Sequence, residues 1–277
     1  MPFDGLRVLS LESRRAAEIE RLIRAQGGVP VVAPSMREVP LTDNPQAFDF
    51  ATKLLGGEVE MVIFLTGVGA RLLNQALETR YPSGTIIEAL KHVTTVARGS
   101  KPAAVLREWS VPITVPVPEP NTWREILKAT ESRHERKISI QEYGRPATEL
   151  TQGLLARGAA RGVEVTSVPV YQWALPLDVD PLRKAAHGIV QGSFDVLLLT
   201  AAIQVEHLFQ VASTEGIEGE LRDALPHMVV ASVGPTTSET LADLEIAVDF
   251  EPSHPKMGFL VTEAAQNASD ILKSKRV

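Results

Sequence analysis

Residues able to do chemistry cluster in short runs that follow apolar strands. One such run is Val229 to Leu241, V-V-A-S-V-G-P-T-T-S-E-T-L, where the strand stops at Gly234 and Pro235. Two hydroxyls, Thr236 and Thr237, then lead into a helical pattern carrying Leu241 and Leu244. Proline suits a first helical turn because the N–H it lacks has no partner there. Hydroxyls at a helix start can cap its free N–H groups, or join them and the positive dipole end in receiving an anion. The construction recurs as T-G-V-G from Thr66, R-G-S-K from Arg98, Y-G-R at Tyr143 to Arg145 and T-A-A from Thr200. Such turns also hold Arg14, Arg15 and Arg71, although the chain carries a net charge of -6. Cationic forks gathered there point to an anionic ligand. The candidate binding set is Thr66, Arg98, Ser100, Lys101, Gly144, Arg145, Thr200, Gly234, Thr236 and Thr237.

Other chemistries lack their residues. The chain has no cysteine, which excludes disulfides, thiolate catalysis and zinc-thiolate sites. Its six histidines are isolated, without metal-binding spacing. T-G-V-G-A-R is too short for a dinucleotide fingerprint, and neither a Walker sequence nor a G-x-S-x-G elbow occurs. An enzyme built this way is expected to work by positioning and electrostatics more than by a strong nucleophile or a metal.

The elements that position these turns alternate. Leu6 to Ser10 reads as a strand, Ser13 to Ala25 as a helix and Val29 to Ala33 as a second strand. Further strands are expected at Met61 to Leu65, Val93 to Ala97, Ile138 to Ile140, Val163 to Val168, Asp195 to Leu199, Val229 to Val233 and Ile246 to Phe250, with helices between them. That alternation predicts parallel sheets covered on both faces, with ligands beyond the carboxyl ends of the strands. At 277 residues the chain suits about two domains. Hydrophobic residues make up 44% and charged residues 22%, as in globular proteins. No apolar run approaches the roughly 18 residues that would cross a bilayer, and M-P-F-D-G-L-R is not a signal peptide, so a cytoplasmic protein is expected. The acidic balance argues against nucleic acid as partner.

A repeat emerges when the units are aligned. Gly28 and Val31 correspond to Gly162 and Val165, V-I-F-L-T ending at Thr66 to V-L-L-L-T ending at Thr200, and Gly99 and Leu106 to Gly234 and Leu241, always 134 or 135 residues apart. A duplication giving two similar α/β halves accounts for it. From the residues alone the reading stops at a two-lobed α/β anion-binding protein.

The G-P-T-T unit of Ala231 to Leu241, the V-P-V-Y-Q-W linker around Tyr171 and the chain length resemble the uroporphyrinogen-III synthase family, and the likeness covers essentially the whole chain. The resemblance implies two flavodoxin-like parallel-sheet domains joined by a two-stranded hinge. Residues 1–34 plus 175–277 would form a discontinuous domain and 41–167 an inserted one, with 35–40 and 168–174 as paired linkers. It implies a cytoplasmic monomer of haem biosynthesis, a cofactor-free lyase that cyclises hydroxymethylbilane, a linear tetrapyrrole polycarboxylate, inverting the D ring and losing water. Tyr171 corresponds to the family's linker tyrosine, which faces the cleft and could hydrogen-bond the departing hydroxyl. Thr237 matches the second threonine of G-P-T-T, and Ser100 stands where a threonine is usual. V-A-R-G-S-K, T-G-V-G and T-A-A-I-Q depart from the family pattern and remove hydroxyls. A non-catalytic two-lobed tetrapyrrole- or small-anion-binding regulatory protein is the alternative expectation.

Overall fold

The structure, a computed structural model, describes residues 2–41, 44–142, 144 and 146–275. The chain begins with β1 (Arg7–Ser10), α1 (Ala16–Ala25) and β2 (Val29–Val32), and continues into β3 (Arg37–Pro40). Then follow α2 (Pro45–Leu55), β4 (Met61–Phe64), α3 (Gly67–Leu77), α4 (Thr85–Leu90), β5 (Thr94–Ala97), α5 (Ser100–Glu108), β6 (Val115–Pro116) and α6 (Trp123–Ala129). Next come β7 (Lys137–Gln141), α7 (Thr148–Gly158), β8 (Glu164–Val168) and β9 (Tyr171–Ala174). The remainder is α8 (Asp180–Val190), β10 (Val196–Leu199), α9 (Ala202–Thr214), α10 (Glu218–Ala224), β11 (Val229–Ser232), α11 (Pro235–Asp243) and α12 (Met257–Lys275).

These elements form two compact units, Met1–Arg37 with Ala174–Val277, and Glu38–Trp173. The first holds a parallel sheet of order β11-β10-β1-β2, the second a parallel sheet of order β6-β5-β4-β7-β8, and β3 pairs with β9. The sheets are related strand by strand. Ala97 pairs with Pro116 in one, and Ala231 makes an isolated bridge to Phe250 in the other. Arg7 opposes Val29 as Lys137 opposes Glu164. The β1–α1–β2 arm comes first in its unit, whereas the matching β7–α7–β8 arm comes last, so one sheet order arises from two chain orders. Segment Ile246–Phe250, expected as a strand, contributes only that bridge. It follows a turn at Glu245, whose φ of 59° interrupts extended backbone.

Both faces of each sheet are buried, which explains strands with no polar alternation. In the first unit Leu9, Leu197 and Val230 point into one core, while Val8, Leu198 and Ala231 point into the other. In the second, Val62 and Phe64 face Tyr171 and the α2–α5 layer, and Met61, Ile63 and Leu65 face α6 and α7. Among the described residues no helix is long and apolar enough to cross a membrane.

Candidate functional site

In the second unit the carboxyl end of β4 runs into α3 at Thr66. The Thr66 hydroxyl accepts from Gly69 N at 3.0 Å and lies 3.4 Å from the Tyr171 hydroxyl. Tyr171 is 2% exposed and meets Trp173 edge-on, with ring centroids 5.3 Å apart. The backbone N–H of Thr66 donates to Gln141 Oε1 at 3.2 Å, and Gln141 Nε2 donates to the Glu142 carbonyl. Gly69 is a glycine because this amide occupies the space a Cβ would need, 2.5 Å from Gln141 Cδ. Gly144 has φ +88°, and a Cβ there would fall 2.5 Å from Trp173 Cδ1, so the indole lies against bare backbone. Thr66, Gln141, Gly144, Tyr171 and Trp173 thus belong to one edge of one unit. Arg145 lies outside the described residues.

The β5–α5 turn carries Arg98, Ser100 and Lys101. Gly99, at φ +85°, is the residue before the first helical position and offers no side chain to cap it. Ser100 and Lys101 are exposed and Arg98 is half-buried. The carbonyl of Lys101 lies 2.8 Å from where a Cβ of Gly67 would sit, so the first turns of α3 and α5 are in close contact.

The first unit repeats the plan with different partners. Gly234 precedes α11 as Gly99 precedes α5, again without a capping side chain. Its N–H donates to Ser232 Oγ at 3.2 Å, and Ser232 Oγ donates to the Gly234 carbonyl at 3.0 Å. Thr236 is half-buried and Thr237 is 3% exposed, with its N–H on the Gly234 carbonyl at 3.0 Å. At the other turn Thr200 is already engaged. Its hydroxyl donates to Glu12 Oε2 and accepts from Gln204 Nε2 at 2.8 Å, while its N–H donates to Gln204 Oε1 at 2.8 Å. In each unit, then, a buried glutamine satisfies the threonine N–H, while the Gly234 N–H is satisfied by Ser232 and the Asn121 side chain comes within 3.0 Å of where a Cβ of Gly99 would sit.

Two of the basic turn residues hold acidic partners. Arg15 is paired with Glu18, and Arg71 holds Glu108 in a two-pronged contact of 2.8 and 2.5 Å. The hydrogen bonds from Arg71 keep the Glu108 carboxyl below its ordinary range. Gln141, Gln204 and Glu12 were not among the residues the sequence singled out. Gln204 lies four residues beyond Thr200 in its own helix, a spacing that could have flagged it, whereas Gln141 is 75 residues from Thr66. Among the described residues no group of three His, Cys, Asp or Glu side chains could hold a metal ion.

Parallel sheets of matching strand order, duplicated within one chain, define a two-unit α/β protein. The family model described as uroporphyrinogen-III synthase HemD matches residues 17–262, and the chain belongs to that family. A putative uroporphyrinogen-III synthase of Methanothermobacter thermautotrophicus is 27% identical over 230 residues, covering 83% of this chain and 85% of its own. An uncharacterized Bacillus subtilis protein, YjjA, is 26% identical over 266 residues, covering 95% and 96%. A mutant uroporphyrinogen III synthase from the extremely thermophilic bacterium Thermus thermophilus superposes with a TM-score of 0.71 at 23% identity, covering 98% of this chain and all of that one. That likeness is one of fold.

Proposed function

We propose that this protein cyclises hydroxymethylbilane to uroporphyrinogen III, inverting the D ring and releasing water, as a cytoplasmic monomer. The observation that carries the reading is the family match over residues 17–262, a span that includes Tyr171 and both glycine turns. The physical demand of the reaction agrees with it. The substrate's hydroxymethyl group leaves to give a reactive azafulvene, and unassisted closure gives the un-inverted ring. The protein's task is to hold a flexible polyanion so that the inverting closure wins, a problem of orientation more than of acid–base strength.

The turns at Gly99 and Gly234 supply helix starts for carboxylates, joined by Arg98, Ser100 and Lys101 in one unit and by Thr236 and Thr237 in the other. Tyr171 hydrogen-bonds the departing hydroxyl, and Thr66, 3.4 Å from it, orients the phenol. A second reading, a tetrapyrrole- or small-anion-binding protein without turnover, draws on the engagement of Thr200 by Glu12 and Gln204, which leaves that turn little to offer a ligand.

The test is to generate hydroxymethylbilane in situ, add the protein, oxidise the product and separate the porphyrin isomers by chromatography. A dominant type III isomer supports the synthase. Type I alone, equal to the protein-free control, overturns it in favour of the binding protein.

A further inference from the structure

We infer that the Glu142 carboxylate is a substrate-binding group that accepts a hydrogen bond from a pyrrole N–H of the tetrapyrrole, an inference that rests on the reading above. Its starting point is the duplication. With Arg7 opposing Val29 as Lys137 opposes Glu164, Glu12 and Glu142 occupy equivalent places just beyond the first strand of each arm. They are 5% and 6% exposed. A carboxylate at that depth requires hydrogen-bond donors.

The two carboxylates are provided for differently. Glu12 Oε1 accepts from Arg14 N and Arg15 N, each at 3.0 Å, and its Oε2 accepts from the Thr200 hydroxyl. Every oxygen of Glu12 is therefore committed within the fold. Glu142 Oε1 accepts from Ala147 N at 3.2 Å, while Oε2 has no partner among the described residues. The side chain stands on fixed backbone, since Glu142 N donates to the Val168 carbonyl at 3.1 Å and its own carbonyl accepts from Gln141 Nε2. Gln141 also ties this strand end to Thr66, which neighbours Tyr171, so Glu142 directly follows the residue that anchors the proposed leaving-group contact.

A carboxylate oxygen only accepts, so its ligand must donate. A linear tetrapyrrole rich in carboxylates offers few donors, chiefly its pyrrole N–H groups. Glu142 would also favour the positive charge that builds on the terminal ring as the hydroxyl departs. By repelling the substrate's carboxylates it turns the N–H edge inward, leaving the acid side chains to the glycine turns.

Glu142→Gln retains an oxygen for Ala147 N and replaces the accepting Oε2 with an NH2 group. Anaerobic binding of uroporphyrinogen III and turnover of hydroxymethylbilane are measured for the wild type, Glu142→Gln and Glu12→Gln, with benzenehexacarboxylate as a polyanion lacking N–H. Loss of a hydrogen bond to a charged acceptor should weaken uroporphyrinogen III binding by Glu142→Gln about tenfold or more. Its affinity for benzenehexacarboxylate should hold or rise, whereas Glu12→Gln should chiefly lower the unfolding midpoint. Uroporphyrinogen III affinity in Glu142→Gln within about twofold of wild type overturns the inference. If the wild type binds the tetrapyrrole but does not cyclise the bilane, the synthase reading fails while the affinity comparison still decides the Glu142 contact. If the wild type binds no tetrapyrrole, both are overturned.

Discussion

Gly69→Ala probes how the second unit holds Thr66. A Cβ at residue 69 would lie 2.5 Å from Gln141 Cδ and 2.8 Å from its Oε1, and Gln141 is fully buried. The glutamine can leave only by giving up its bonds to Thr66 N and the Glu142 carbonyl. Each buried group left unpaired costs about 1–3 kcal/mol, and forcing a methyl into packed space costs about as much again. Replacing a helical glycine by alanine returns about 1 kcal/mol, and partial relaxation lowers the rest, so a net loss of about 2–4 kcal/mol is expected. Urea unfolding followed by circular dichroism measures it. Gly258→Ala in α12, where a Cβ meets nothing within 4 Å, is the matched control and should gain about 0.5–1 kcal/mol. The double variant Gly69→Ala/Gln141→Ala isolates the collision. It should be less destabilised than the two singles together, by about 1–3 kcal/mol. A loss below about 0.5 kcal/mol in Gly69→Ala, or strict additivity in the double, refutes the reasoning.

Three further outcomes are expected. Tyr171→Phe should lower kcat about tenfold or more, read from initial rates of bilane turnover; unchanged turnover removes the hydroxyl from the reaction. Arg98→Ala with Lys101→Ala should raise KM for the bilane and flatten its dependence on salt, read from initial rates across ionic strengths; an unchanged KM makes these charges bystanders. Glu135 is pushed up by burial, but donors from Arg133 and Thr94 prevail and bring its carboxyl from 4.5 to about 2. A depressed folded-state pKa means that this stabilisation is complete above pH 4.5 and fades as pH falls toward 2. The ideal linkage figure is about 3 kcal/mol, and solvent at the partly exposed Arg133 brings it nearer about 1–2 kcal/mol. The stability difference between wild type and Glu135→Gln should therefore shrink between about pH 6 and about pH 3 in denaturant titrations, and a constant difference would contradict the assignment.

Strands β4, β10 and β11 could be read directly, because a strand buried on both faces must be apolar throughout and its end is marked by Thr66, Thr200 or Gly234. The spacing of Gly99 and Gly234 exposed the duplication, since a positive φ before a helix restricts the residue choice in both copies. The short helices α4 and α10 escaped notice. Six and seven residues give too few turns for an apolar stripe to stand out, and in α10 only Leu221 is buried.

Composition and local pattern thus sufficed for the α/β class and for the turns at the strand ends, because propensity, burial and capping act over a few residues. What occupies those turns was decided by tertiary structure alone. Glu12 reaches Thr200 across 188 residues and Gln141 reaches Thr66 across 75, contacts that no local periodicity encodes. The parallel order of the sheets creates these meetings by bringing distant strand ends to one edge. It thereby separates a threonine whose hydroxyl is already engaged from glycine turns that lack a capping side chain, and a glutamate with donors on both oxygens from one whose Oε2 has no partner among the described residues.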